Sequence, residues 1–138
     1  MTHLRAEGTF SVASVDFVEL KPDVLIPTAM STGIATMVKR YFGAVEGRSS
    51  TLFTSSRHAA SGAATYVALE SFEGSLNGVA GSFNYVHSAS THGNDRYGEF
   101  FSIVAASGTN GLADISGAGG LAVDPDGTHR VWFDYSLD

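Results

Sequence analysis

No segment of this chain longer than ten residues keeps a helical spacing of apolar positions. Runs of strand-forming residues recur instead, broken by glycine, proline, asparagine and aspartate. The first run, residues 6–20, changes phase: Phe10 and Val12 alternate on one face, Val15 and Phe17 on the other. One extra residue near Ala13-Ser14, a β-bulge, accounts for the switch. Further strands are predicted over 32–42, 48–56, 64–72, 79–88, 97–105, 119–123 and 128–137. Pro22 and Pro27 bracket a loop, and 57–62 is a polar connection. In the turn-rich stretch 107–117, Leu112 and Ile115 can pin a short 3₁₀ segment. About eight strands joined by short turns describe an all-β chain, a closed antiparallel barrel or a sandwich.

Turn chemistry sets the register. Gly-x-apolar-x-Gly occurs twice, as Gly43-Ala44-Val45-Glu46-Gly47 and, 31 residues on, Gly74-Ser75-Leu76-Asn77-Gly78. Each reads as a hairpin tip. With Asn77-Gly78 as a type I′ turn, Phe72 faces Phe83, Glu70 faces Tyr85 and Ala68 faces His87. With Glu46-Gly47 as the first turn, Tyr41 faces Leu52 and Lys39 faces Thr54. In Asp124-Pro125-Asp126-Gly127 the proline suits a type I turn and the glycine supplies positive φ.

At 138 residues the chain makes one domain, 1–138, large enough to bury roughly 68% of its unfolded surface. Cysteine is absent, which excludes disulfides and thiolate metal sites. A net charge of −6 without a basic cluster argues against a nucleic-acid footprint. No signal-peptide-like stretch and no run of membrane-spanning length is present, so a cytoplasmic protein is expected. Strands apolar on both sides, as in Tyr97, Phe100, Phe101, Ile103 and Val104, point to a homo-oligomer, dimer ahead of trimer.

The stretch Tyr66-Val67-Ala68-Leu69-Glu70, the glycine motif at 74–78, Gly81-Ser82-Phe83 and His87 resemble the central signature of a bacterial family of unknown function. That family is grouped with the allene oxide cyclase barrel-like proteins. The segment 107–112 with Gly117 and the closing strand 129–135 are similar too, so the resemblance covers most of the chain from Lys39 onward. It implies an eight-stranded antiparallel barrel around a central cavity, in a superfamily whose members include a plant fatty-acid-oxide cyclase, dirigent proteins and bacterial cyclases, mostly homo-oligomers. It carries over no catalytic residues.

The register of the second hairpin gathers a candidate site. Tyr66, Glu70, Phe72, Phe83, Tyr85 and His87 share one face, with Glu70 and His87 diagonal neighbours. Superposing the glycine motifs puts Lys39 and Tyr41 where Glu70 and Phe72 stand, so Lys39, or Arg40 beside it, is expected in the same interior. Among aromatic rings the Glu70 carboxyl should be desolvated and its pKa raised, as an acid–base catalyst requires. His87 would share its proton, and the tyrosines would donate hydrogen bonds. The alternative is a satisfied polar pair with a structural role. The five histidines lack clamp spacing, so no metal is expected, and no cofactor motif appears. Three functions compete: a barrel binding a small apolar or aromatic ligand, a cofactor-free cyclase or isomerase using Glu70 and His87, and a structural or partner-binding module with a filled interior.

Overall fold

The computed structural model describes residues 2–138. Eight strands follow one another in chain order: β1 (Leu4–Val18), β2 (Ser31–Gly43), β3 (Val45–Arg57), β4 (Ala63–Leu76), β5 (Val79–His92), β6 (Tyr97–Ile103), β7 (Ser116–Val123) and β8 (His129–Ser136). Each pairs antiparallel with its neighbours in sequence, and β8 pairs with β1, so the sheet closes into a ring. Helix is confined to one 3₁₀ turn, Asn110–Leu112, among the described residues. It sits inside the turn-rich stretch and is pinned by Leu112 and Ile115, both buried.

The expected bulge is present. Val12 pairs with Lys39 but Ser14 pairs with Val38, leaving Ala13 unpaired. The extra residue resets the side-chain alternation. Phe10, Val12, Val15 and Phe17 therefore stand opposite Tyr41, Lys39, Met37 and Ala35, all on the inner face. The β4–β5 hairpin also has the expected register, with Leu76 opposite Val79 and Glu70 opposite Tyr85. Asn77 and Gly78 take φ of 49° and 82°, as a type I′ turn requires.

The first hairpin differs. Tyr41 pairs with Gly47 and Lys39 with Ser49, not with Leu52 and Thr54. The connection is Ala44 alone, and its backbone is satisfied by neighbouring strands: its N–H donates to the Glu7 carbonyl, and its carbonyl accepts from Asn77 N–H. Tertiary partners replace the local turn, so turn grammar misplaces it. The register error is an odd number of residues, which reverses the two faces of β3. Ser49, Thr51, Phe53, Ser55 and Arg57 are consequently the inner set.

Gly47 is then not a turn residue. It lies opposite Gly74 across β3 and β4, each at positive φ. A Cβ on Gly47 would stand 2.1 Å from the Glu73 carbonyl oxygen, and one on Gly74 would stand 1.9 Å from that of Glu46. The repeated glycine motif thus marks a place where two strands approach too closely for any side chain.

One end of the ring is filled. Tyr41, Phe72, Phe83, Tyr85 and Phe133 pack there with Val45, Leu76, Leu112 and Val131, all buried. The β6–β7 seam is narrow, with a single register pair, Ser102 and Ala118. The segment after β6 covers it by pairing with β5 in place of a strand. Val104 N–H donates to Asn84 O, and Thr109 N–H donates to Ser82 O.

Gly74→Ala is expected to destabilise the fold by at least about 3 kcal/mol, from the backbone clash and the strained φ. Gly33→Ala, whose Cβ meets nothing within 4 Å, should change little or stabilise by up to about 1 kcal/mol. Denaturant midpoints at neutral pH separate the two, and equal midpoints would refute the close-approach account.

Candidate functional site

Four neighbouring strands deliver polar side chains to one point inside the ring. Glu70 of β4 is fully buried, and its carboxylate accepts four hydrogen bonds. Lys39 Nζ of β2 donates to Oε2 at 2.5 Å, and His87 Nε2 of β5 donates to the same oxygen at 2.8 Å. Ser49 Oγ of β3 donates to Oε1 at 2.9 Å, and Thr51 Oγ1 donates there too. All four donors are buried.

Two hydrogen-bonded chains converge on this carboxylate. Because Ser49 spends its proton on Glu70, it accepts from Tyr41 OH at 2.8 Å, and Tyr41 in turn accepts from Tyr85 OH at 2.5 Å. On the other side His87 Nε2 carries the proton given to Glu70. Its Nδ1 therefore accepts from Tyr66 OH at 3.1 Å, and Tyr66 accepts from Arg96 Nη2. No buried side-chain polar atom among the described residues lacks a partner, as a buried network requires.

Electrostatics follow from this arrangement. Burial alone would raise the Glu70 pKa, but the His87 hydrogen bond and the Lys39 charge outweigh it and bring it down to about 2. The expected rise is therefore not found. The carboxyl stays ionised, and its lone pairs are occupied. Burial lowers the His87 pKa, so the imidazole is neutral at pH 7. Burial also pushes Tyr41, Tyr66 and Tyr85 upward, keeping them phenols.

The cavity lies one level above this layer. At the end of the ring formed by β1–β4 a space of about 690 Å³ is walled by Val15, Phe17, Met37, Phe53 and Tyr66, with Arg57 at the rim. That volume suits one small molecule. Tyr66 stacks on Phe53, ring centroids 5.2 Å apart, and its hydroxyl reaches down to His87.

The structure thus brings every predicted site residue onto the inner face, in three different settings. Tyr66 lines the cavity. Glu70, His87 and Lys39 form the polar layer beneath it, with Lys39 rather than Arg40 turned inward. Tyr41, Phe72, Phe83 and Tyr85 belong to the packed end and do not line the cavity, nor does Glu70. The sequence reading missed Ser49 and Thr51, because the wrong β3 register turned them outward. It missed Phe53 as a wall residue for the same reason, whereas Met37 already shared the face of Lys39 and was not singled out. Arg96 lies in a loop where no register applies.

Fold and site together define a small antiparallel barrel, packed with aromatic rings at one end and hollow at the other. Residues 6–135 match the family model described as "Protein of unknown function (DUF3224)", and the chain belongs to that family. The fold is similar to that of a crystal structure of a DUF3224-family protein of unknown function from Shewanella oneidensis MR-1. The TM-score is 0.83 at 24% identity, over 99% of each chain. No curated protein matches the chain.

Two outcomes test the polar layer. At pH 7 Glu70→Gln should cost about 3–5 kcal/mol, because it leaves the Lys39 charge buried without its counter-charge. The double variant Lys39→Met/Glu70→Gln should cost less than the sum of the two singles by more than about 1 kcal/mol. Additive losses in denaturant melts would show that the pair is not coupled.

Acid should also weaken the fold in a definite order. Below the ordinary histidine value of 6.5 the unfolded chain binds a proton that buried His87 resists, so stability starts to fall there. The Glu70 contribution is complete above its ordinary value of 4.5 and disappears as pH drops from there towards about 2. That loss is on the order of 3 kcal/mol. Melts from pH 8 to 2 on wild type and Glu70→Gln check this, since the variant should lack the lower phase.

Proposed function

We propose that the protein is a binding barrel that holds one small apolar or aromatic molecule in the mouth cavity. The carrying observation is the mainly apolar space of about 690 Å³, walled by Met37, Phe53 and Tyr66. The polar layer serves as a fixed floor. The same reading groups the fold with the allene oxide cyclase barrel-like proteins, on the strength of the β4–β5 hairpin signature. A cyclase or isomerase with Glu70 as acid has less support. The carboxyl is ionised, its oxygens carry four donors, and it is not on the cavity wall. The filled end favours a structural role for the aromatic core, without removing the cavity above it.

The uncharged fluorophore N-phenyl-1-naphthylamine provides a test. Saturable binding with one site per chain is expected. Ala64→Trp, at the cavity wall, should abolish it without lowering the melting temperature by more than a few degrees. Mass spectrometry of an organic extract of the purified protein should also yield one small molecule in stoichiometric amount. Absence of saturable binding, or binding indifferent to Ala64→Trp, would refute the reading.

We also propose a homo-oligomer, dimer ahead of trimer, working in the cytoplasm. Its support is the exposed apolar residues of the outer face, Leu52 with Leu69 opposite it, Val67 and Phe100. No helix among the described residues is long and apolar enough to cross a membrane. Light scattering at micromolar concentration should give at least twice the chain mass, and a monomer mass refutes the proposal.

A further inference from the structure

The cavity wall carries a single charged side chain, Arg57, and no carboxylate. Arg57 is the last residue of β3, on its inner face, between Ser31 and Ala64 in the ladders, both of which also line the cavity. Its guanidinium has no carboxylate partner among the described residues. This is unusual within the molecule. The protein has 8 lysines and arginines against 14 acids, and six of the cations sit on a carboxylate. Arg5 pairs with Glu7 and Asp134, Lys21 with Glu19, Lys39 with Glu70, Arg48 with Glu73, Arg96 with Glu99 and Arg130 with Asp124. Arg40 and Arg57 are left over. Arg40 stands opposite Arg48 on the outer face, whereas Arg57 faces the one hollow end of the barrel.

Building on the binding reading above, we propose that the bound molecule carries one carboxylate, seated on Arg57 at the rim, with its apolar or aromatic body directed inward against Phe53 and Tyr66. A guanidinium offers a planar fork that matches a carboxylate with two parallel hydrogen bonds. A single cation suits a monoanion better than a doubly charged phosphate. The body meets apolar walls below the rim. The anion stays clear of Glu70, whose ladder partner Thr51 lies six residues along β3 from Arg57, roughly 20 Å at strand rise. Asp23 and Lys21 line an adjoining groove that shares Thr32, Gly33, Ile34 and Ser55 with the cavity but not Arg57, and neither forms an ion pair with the guanidinium.

Matched acids and amides test this by calorimetry at low ionic strength: naphthalene-2-carboxylate against naphthalene-2-carboxamide, and octanoate against octanamide. Wild type should favour the acid of at least one pair by roughly five- to tenfold, the scale of a partly exposed charge-assisted pair. Arg57→Gln should erase the preference by weakening the acid several-fold more than the amide. Arg40→Gln should leave both unchanged, and salt at about 0.5 M should shrink the preference in wild type. Equal affinity for acid and amide, or a preference that survives Arg57→Gln, overturns the inference and leaves the cavity reading standing. Failure of all four probes to bind tells against the cavity itself, and the carboxylate proposal falls with it.

Discussion

A charge in the middle of a protein must be answered from every side, and here that demand organises half of the barrel. The Glu70 carboxylate takes donors from β2, β3 and β5, and each arrives from a fixed position on its strand. Sliding any of these strands by one residue would turn its donor to the outside and leave an ionised group in an apolar interior. The buried pair adds little net stability against a well-packed apolar alternative, since both ions are stripped of water. What it supplies is selection, because competing registers of a glycine-rich, two-sided sheet become prohibitively poor.

The same layer divides the interior. Beneath it aromatic rings fill the space. Above it the wall residues become small or leave room, as at Ala35, Ala64 and Gly33. Tyr66 belongs to both regions. Its ring stands in the cavity wall, while its hydroxyl is the outermost link of the chain that runs through His87 to Glu70. Arg96 fixes that hydroxyl from the β5–β6 loop, with its guanidinium 5.3 Å from the ring centroid. Under the proposed binding role, a fully hydrogen-bonded floor beneath an apolar chamber would lower the ordering cost of taking up a ligand.

How much of this the sequence disclosed depends on whether each strand carries its own register information. The β4–β5 hairpin does. Asn77-Gly78 admits one turn type, and the side chains that follow fall into place, so Glu70, Tyr85 and His87 were legible together. The bulge in β1 was legible because the apolar phase visibly slips at Ala13. The β3 register was not. Its inner face reads Ser49, Thr51, Phe53, Ser55 and its outer face Ser50, Leu52, Thr54, Ser56, two sets of nearly equal polarity between which hydropathy cannot choose. The deciding facts were tertiary, namely the support of Ala44 by β1 and Asn77 and the approach of Gly47 to Gly74. The error in the Glu70 pKa has a different root. His87 and Lys39 were already expected beside the carboxyl, but the weight of their hydrogen bond and charge against burial depends on contact distances, which a strand pattern does not supply.

The order of the strands carries a consequence for how the cavity comes into being. Seven of the eight ladders join neighbours in sequence, and only the pairing of β1 with β8 joins the two ends of the chain. Local ladders form at low entropic cost, whereas closing the whole chain on itself must await the rest. The chamber does not depend on that closure: Val15 and Phe17 of β1 stand opposite Met37 and Ala35 of β2, whereas β1 meets β8 only over Leu4–Phe10. All its walls come from β1–β4 and the connection after β3, strands joined to one another by ladders between sequence neighbours. Short-range pairing therefore assembles the walls of the chamber ahead of the step that joins the two ends of the chain.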